Sequence, residues 1–143
     1  MDKKATLRTQ QGQGLVEFAL TATLLLVLFM GIVDLGRALF TFMALRDAAQ
    51  EGAAYGSVYP DDTAGIETRA RDSSSNPVDL SDTALVDVDI VYIGPPCSGS
   101  GIEVTVSYPD FELLTPLLGT ILGGETIPIR AHVTDTILTP GCP

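Results

Sequence analysis

Few side chains in this 143-residue sequence are of types and spacings that do chemistry on their own. His132, the sole histidine, falls on the polar side of an alternating run, where a solvated strand position accounts for it. Ser98-Gly99-Ser100-Gly101 lacks the G-x-S-x-G spacing of a nucleophile elbow, and no Walker-type phosphate loop is present. Glu17 and Asp34 lie roughly 25 Å apart if both are on one helix, too far to share a proton. Asp79, Asp82, Asp87 and Asp89 supply the oxygens calcium favours but not the D-x-D-x-D-G loop, so a solvated acidic face is the favoured reading and calcium the alternative. Two cysteines, Cys97 and Cys142, cannot make a four-ligand zinc site. The expectation is a protein with no enzyme activity, no catalytic residues, no cofactor and no metal.

The elements that position these residues begin with an apolar stretch. Leu15–Val33 carries Glu17 as its only charge and makes a helix of roughly 28 Å, close to the hydrocarbon thickness of a bilayer. Lys3, Lys4 and Arg8 precede it while Asp34 and Arg37 follow, so the positive-inside rule places the N-terminus in the cytoplasm and the rest outside. Beyond residue 12 remain 5 of the 8 basic and 17 of the 18 acidic residues, a net of −12 with no lysine. Nucleic-acid binding is excluded on that balance, because such affinity rests on Lys and Arg displacing counterions. The apolar run exceeds that of a secretory signal and has no A-x-A exit, so cleavage after it is not expected.

The sequence from Gln13 to Ser57 is free of proline and reads as one helix of roughly 65 Å. In its distal half Ala44, Ala48, Gly52 and Gly56 recur every four residues beside Ala49 and Ala53. Such a strip lets another backbone approach closely; the protein's own sheet is the favoured neighbour and another subunit the alternative. Gly56, Pro60 and Asp61-Asp62 end the helix, and a short helix capped by Asp62 is expected from Thr63 to about Arg71. Period-two alternation marks strands at Leu85–Ile93, Ile102–Tyr108 and Ile127–Thr134, an antiparallel sheet covered on one face by the long helix. The apolar segment FELLTPLLGTILGG is expected to form a short helix under the sheet edge, an exposed apolar contact being the alternative. Outside the cytoplasm an even cysteine count favours a Cys97–Cys142 disulfide, contributing about 4 kcal/mol, over two buried or free thiols.

One bond in the chain is itself a candidate substrate. Gly12-Gln13-Gly14-Leu15-Val16-Glu17-Phe18 places a glycine at the end of a basic leader and a glutamate five residues beyond the Gly12–Gln13 bond, which resembles the processing site of type IV prepilins. Glu17-Phe18 resembles the Glu-Tyr or Glu-Phe pair of the tight-adherence branch. Cleavage after Gly12 would leave a cationic α-amino group on Gln13, and Glu17 of a neighbouring subunit is suited to pair with it; a glutamate reaching back to the headgroups is the alternative.

Gly31, Asp34, Gly36 and Arg37, then Ala48, Ala49, Glu51, Gly52, Ala53, Tyr55 and Gly56, extend a resemblance to TadE-like proteins, minor pilins or pseudopilins of the tight-adherence (Flp) pilus machinery. Val104–Pro109, Phe111, Leu113–Pro116 and Ile127–Ala131 are similar to that family's distal segment. Asp110 is an extra residue between Pro109 and Phe111, and the Asp-rich middle matches no motif. The resemblance implies an α+β, type IV pilin-like fold, a long N-terminal helix on a small antiparallel sheet. The expected organisation is a cytoplasmic leader at 1–12, the long helix at 13–57 with its transmembrane segment at about 15–33, and an extracytoplasmic head at 58–143. It implies a single-pass inner-membrane precursor that reaches the cell surface on assembly. Its expected partners are a prepilin peptidase, other pilin subunits through the helix, a platform and ATPase, and the membrane before assembly. A major filament subunit, an uncleaved bitopic anchor displaying an adhesive domain and a type II secretion pseudopilin are the alternatives.

Overall fold

The computed structural model describes residues 3–115, 119–120 and 123–139, with side chains from Gly12 onward. Helix α1 spans Lys3–Val58, 56 residues without a break. It starts ten residues before Gln13, since the preceding stretch also lacks proline and carries few β-branched residues. It stops where Pro60 forces Tyr59 out of helical geometry. Helix α2, Thr63–Asp72, follows a tight turn; Asp62 caps it by accepting from the Gly65 amide at 3.0 Å and also accepts the Tyr55 hydroxyl at 2.9 Å.

Strands β1 (Asp87–Ile93), β2 (Gly101–Glu112) and β3 (Thr126–Thr136) form an antiparallel meander in the order β1-β2-β3. β1 starts two residues later than the alternation suggests, because the Leu85 and Val86 amides turn back to the Asp82 carbonyl. The extra Asp110 lies in a register shift between Tyr108 and Phe111, where Pro109 and Asp110 face Pro128 on the edge strand β3. A bulge of this kind moves the next residue to the other face. Here it keeps Phe111 in the core, and both prolines occupy sites that need no ladder donor. Phe111 and Glu112 therefore belong to β2 and not to a helix; of the rest of that apolar segment, Gly119 and Thr120 are helical, while 116–118 and 121–122 lie outside the described residues.

The arrangement is α+β and pilin-like: the distal half of α1 lies across one face of the sheet, with α2 beside it. Ile102, Val104, Val106, Phe111, Ile129 and Ala131 from the sheet meet Leu45, Ala48, Ala49 and Ala53 from α1 and Ile66 and Ala70 from α2. The small strip is what lets the layers approach. A Cβ on Gly52 would stand 3.2 Å from Val104 Cγ1 and 3.3 Å from the Ala70 Cβ; one on Gly56 would stand 2.5 Å from Ile102 Cδ1.

The end of α1 is closed by the tail. Leu138 donates its amide to the Ser57 carbonyl at 2.8 Å, and the Thr139 hydroxyl donates to the Val58 carbonyl, satisfying acceptors that the last helical turn leaves open. Ile137 exchanges backbone bonds with Gly99 and Ser100, so the tail is wedged between the β1–β2 loop and the helix.

Two glycine substitutions separate packing from propensity. Gly52→Leu is expected to destabilise the head by about 1–3 kcal/mol through overpacking against Val104 and Ala70. Gly36→Ala, whose new methyl meets nothing within 4 Å, is expected to be neutral or to stabilise by up to about 1 kcal/mol. Thermal unfolding of the detergent-solubilised full chain, followed by circular dichroism, checks both; equal midpoints would mean the strip does not pack on the sheet.

Candidate functional site

Two neighbouring regions of α1 differ sharply in cover. From Leu15 to Val33 the apolar side chains project outward with nothing packed on them, whereas Ala44, Leu45, Ala48, Ala49 and Ala53 are buried in the head. The uncovered segment is long and apolar enough to cross a membrane. Its hydroxyl groups do not interfere, because Thr21 donates to the Glu17 carbonyl at 2.9 Å and Thr23 to the Ala19 carbonyl at 2.8 Å, inside the helix. Phe18, Leu25, Phe29 and Ile32 border a shallow apolar groove along this surface.

The residues singled out at the start of the helix share this exposure. Gly12, Gln13, Glu17 and Phe18 are all exposed, and they lie on the continuous helix α1. Gly12 has open space where a Cβ would be. Of the packing residues, Ala48, Gly52 and Gly56 are buried against the head's own sheet and α2, and Ala44 is buried one turn before them. Cys97 is disulfide-bonded and sits in the β1–β2 loop; Cys142 lies outside the described residues.

Between the uncovered and the buried halves sits a group that periodicity does not reveal as special. Asp34 is only 2% exposed. Its carboxylate accepts the Leu114 amide at 3.0 Å and the Thr115 amide at 2.8 Å, while Arg37 lies 3.4 Å away and reaches on to the Glu112 carbonyl. The Arg37 guanidinium also lies over the Phe111 ring, 5.1 Å from its centroid. Thr115 Oγ1 is buried close by without completing a hydrogen bond of good geometry. Burial pushes the Asp34 carboxyl up, but the Thr115 side chain, the two amides and Arg37 together outweigh it and hold the group below the ordinary aspartate value. Asp34 thus clasps the end of β2 to the helix one residue beyond the apolar span. The legible signal was an acid immediately after that span; its partners, 80 residues away, were not.

The acidic residues of the middle segment serve turns. Asp79 accepts the Ser81 hydroxyl at 2.6 Å and amide at 3.1 Å, which hold its carboxyl below the usual range, and Asp82 accepts the Ala84 amide at 2.8 Å. Asp87 and Asp89 face outward on β1. Arg71 fastens this segment by donating to the Leu80 and Val86 carbonyls. Among the described residues, no three His, Cys, Asp or Glu side chains converge on a metal position. His132 is exposed on β3 opposite Thr105.

The sequence model of a family described as TadE-like protein matches residues 12–54, the part of α1 that runs from the exposed Gly12 through Asp34 into the head core. No curated protein and no solved structure matches the chain.

Removing the clasp has a defined cost. Asp34→Ala leaves two amides without their acceptor and is expected to cost about 2 kcal/mol or more. Hydrogen exchange at Leu114 and Thr115 should then quicken at least about 30-fold, since every 1.4 kcal/mol is tenfold. Because the folded-state value is depressed, the stabilisation is complete above the ordinary value of 3.8 and is lost as pH falls through the lower folded value. Asp34→Asn should remove that acid-dependent part; an unchanged acid limb of the unfolding curve would refute the assignment.

Proposed function

We propose that this chain, a TadE-like protein of the tight-adherence pilus system, is a minor pilin or pseudopilin that is cut after Gly12 and enters a pilus or its initiation complex through α1. The observation that carries this reading is the division of α1. One half is uncovered and apolar from Leu15 to Val33, and the other is built into a folded head. A helix of that kind is stable in lipid before assembly and among like helices afterwards, because apolar burial is nearly conserved when one environment replaces the other. Extraction therefore need not expose the span to water.

The Gly12–Gln13 bond is exposed and precedes the apolar face, in line with cleavage by a prepilin peptidase acting at the cytoplasmic side. In this reading residues 1–12 are a cytoplasmic leader, residues 13–57 the assembling helix and residues 58–143 the extracytoplasmic head. Cutting creates an α-amino group at Gln13. Glu17 of an adjacent subunit neutralises it and sets the axial register, offsetting a cost on the order of 2.5 kcal/mol for a carboxylate in the bilayer centre, less near the interface. Phe18 packs beside that pair. The secretion ATPase and its membrane platform act on the cut form. The disulfide of Cys97 takes Cys142 as its partner, the one other cysteine of the sequence, and secures a tail already hydrogen-bonded to Ser57 and Gly99.

Two variants test the reading in cells that assemble the pilus. Gly12→Leu is expected to leave the protein at full length and absent from sheared pili and from the initiation complex, whereas the unaltered protein begins at Gln13. Glu17→Ala is expected to be cut normally yet fail to join other subunits. N-terminal sequencing and mass spectrometry read both results; an unaltered protein that begins at Met1 would overturn the cleavage and favour a permanent anchor.

A further inference from the structure

A groove of about 470 Å³ lies where α1, the loop before β1 and strand β2 meet, with Arg37, Phe40, Thr41, Asn76, Tyr108 and Phe111 in its walls. Its polar groups are underused. Arg37 makes hydrogen bonds only through Nη1, both at 3.4 Å, so Nε and Nη2 have no acceptor among the described residues. The guanidinium is nonetheless held in place over the Phe111 ring, against which Tyr108 packs edge-on with centroids 6.2 Å apart. Thr41 is only 3% exposed, yet its hydroxyl has no partner among the described residues, whereas Thr21, Thr23 and Thr68 each donate to the carbonyl four residues back. The Tyr108 hydroxyl is likewise unpaired among them. An aromatic-walled groove of this size with a few convergent polar groups has the make-up of a ligand site.

Level and charge define the ligand. Arg37 is about 6 Å beyond Val33 along the axis, inside the polar layer of roughly 5–7 Å that borders the hydrocarbon of a bilayer. Phe40, 67% exposed, stands about 4.5 Å farther out. No acid lines the groove among the described residues; the exposed Glu112 and Glu125 border a separate one, and the nearby Asp34 is buried and bonded. A guanidinium with free N–H groups side by side suits a phosphate, and ring faces suit an ammonium. The net −12 of the chain beyond residue 12 disfavours a ligand with uncompensated negative charge.

We propose that this groove holds the headgroup of a zwitterionic phospholipid of the extracytoplasmic leaflet, its phosphate on Nε and Nη2 of Arg37 and its ammonium against the Phe40 and Tyr108 rings. The inference rests on the membrane-anchored state of the precursor. Its consequence is a head seated on the bilayer at a set height by one bound lipid, which must be released when the subunit leaves the membrane.

The test uses the full chain, labelled with ¹⁵N, in maltoside micelles that contain no phosphate. Adding dihexanoylphosphatidylcholine is expected to shift the Arg37 Nε–H and Thr41 amide signals saturably, leaving Arg46 and Arg130 unmoved. Arg37→Gln should weaken this binding at least tenfold. Phe40→Leu, at an exposed position where folding is not at stake, should weaken it about threefold. Equal shifts with soluble phosphocholine overturn the lipid as source, and equal shifts with dihexanoylglycerol reduce the groove to an apolar contact and overturn the headgroup site. Flotation of the unaltered chain with phosphatidylcholine vesicles reads the anchor separately. Silent Arg37 and Thr41 signals in a chain that floats overturn the headgroup site alone; a chain that does not float overturns both readings.

Discussion

Close approach between α1 and the sheet, possible only where the helix carries Ala48, Ala49, Gly52, Ala53 and Gly56, is the contact on which the head depends. A three-stranded meander has too little apolar surface to be stable alone and needs a layer against one face. Here that layer is the continuation of an element whose other half is long and apolar enough to cross a membrane. Stiffness follows from the same fact: the span and the core share one unbroken hydrogen-bonded rod, so the orientation of the head is tied to that of the span.

The remaining features of the head serve that docking at its two ends. Next to the apolar span, Asp34 and Arg37 hold the end of β2 through the Leu114 and Thr115 amides and the Glu112 carbonyl. At the far end, Leu138 and Thr139 close the last carbonyls of α1, and Asp62 turns the chain into α2. Charge-assisted bonds to buried amides are among the stronger polar contacts, and leaving such amides unpaired is costly. Both ends are therefore fixed by polar groups, and the middle by small-residue packing.

How much was legible depends on the range of the interaction. The uncharged run from Phe18 to Val33, the absence of proline and the four-residue recurrence of small side chains are local patterns, and each corresponds to a feature of α1. The three strands were likewise visible, because one covered face imposes alternation on Val88–Tyr92, Ile102–Tyr108 and Ile127–Val133. The extension of β2 through Phe111 was not, because the bulge at Pro109 and Asp110 breaks the period that marks a strand.

The sequence by itself determined the order of the long helix, the short helix and the three strands, and the apolarity over Leu15–Val33 that suits the helix to a membrane, while the Gly12–Glu17 spacing marks the bond whose cleavage is proposed. Only the tertiary structure decided that the small strip belongs to the head's own core, that Asp34 is a buried acceptor, and that the tail caps α1. The physical reason is separation along the chain. Helix and strand periodicity express contacts among near neighbours, whereas a carboxylate at 34 meeting amides at 114 and 115 leaves no periodic trace in either segment.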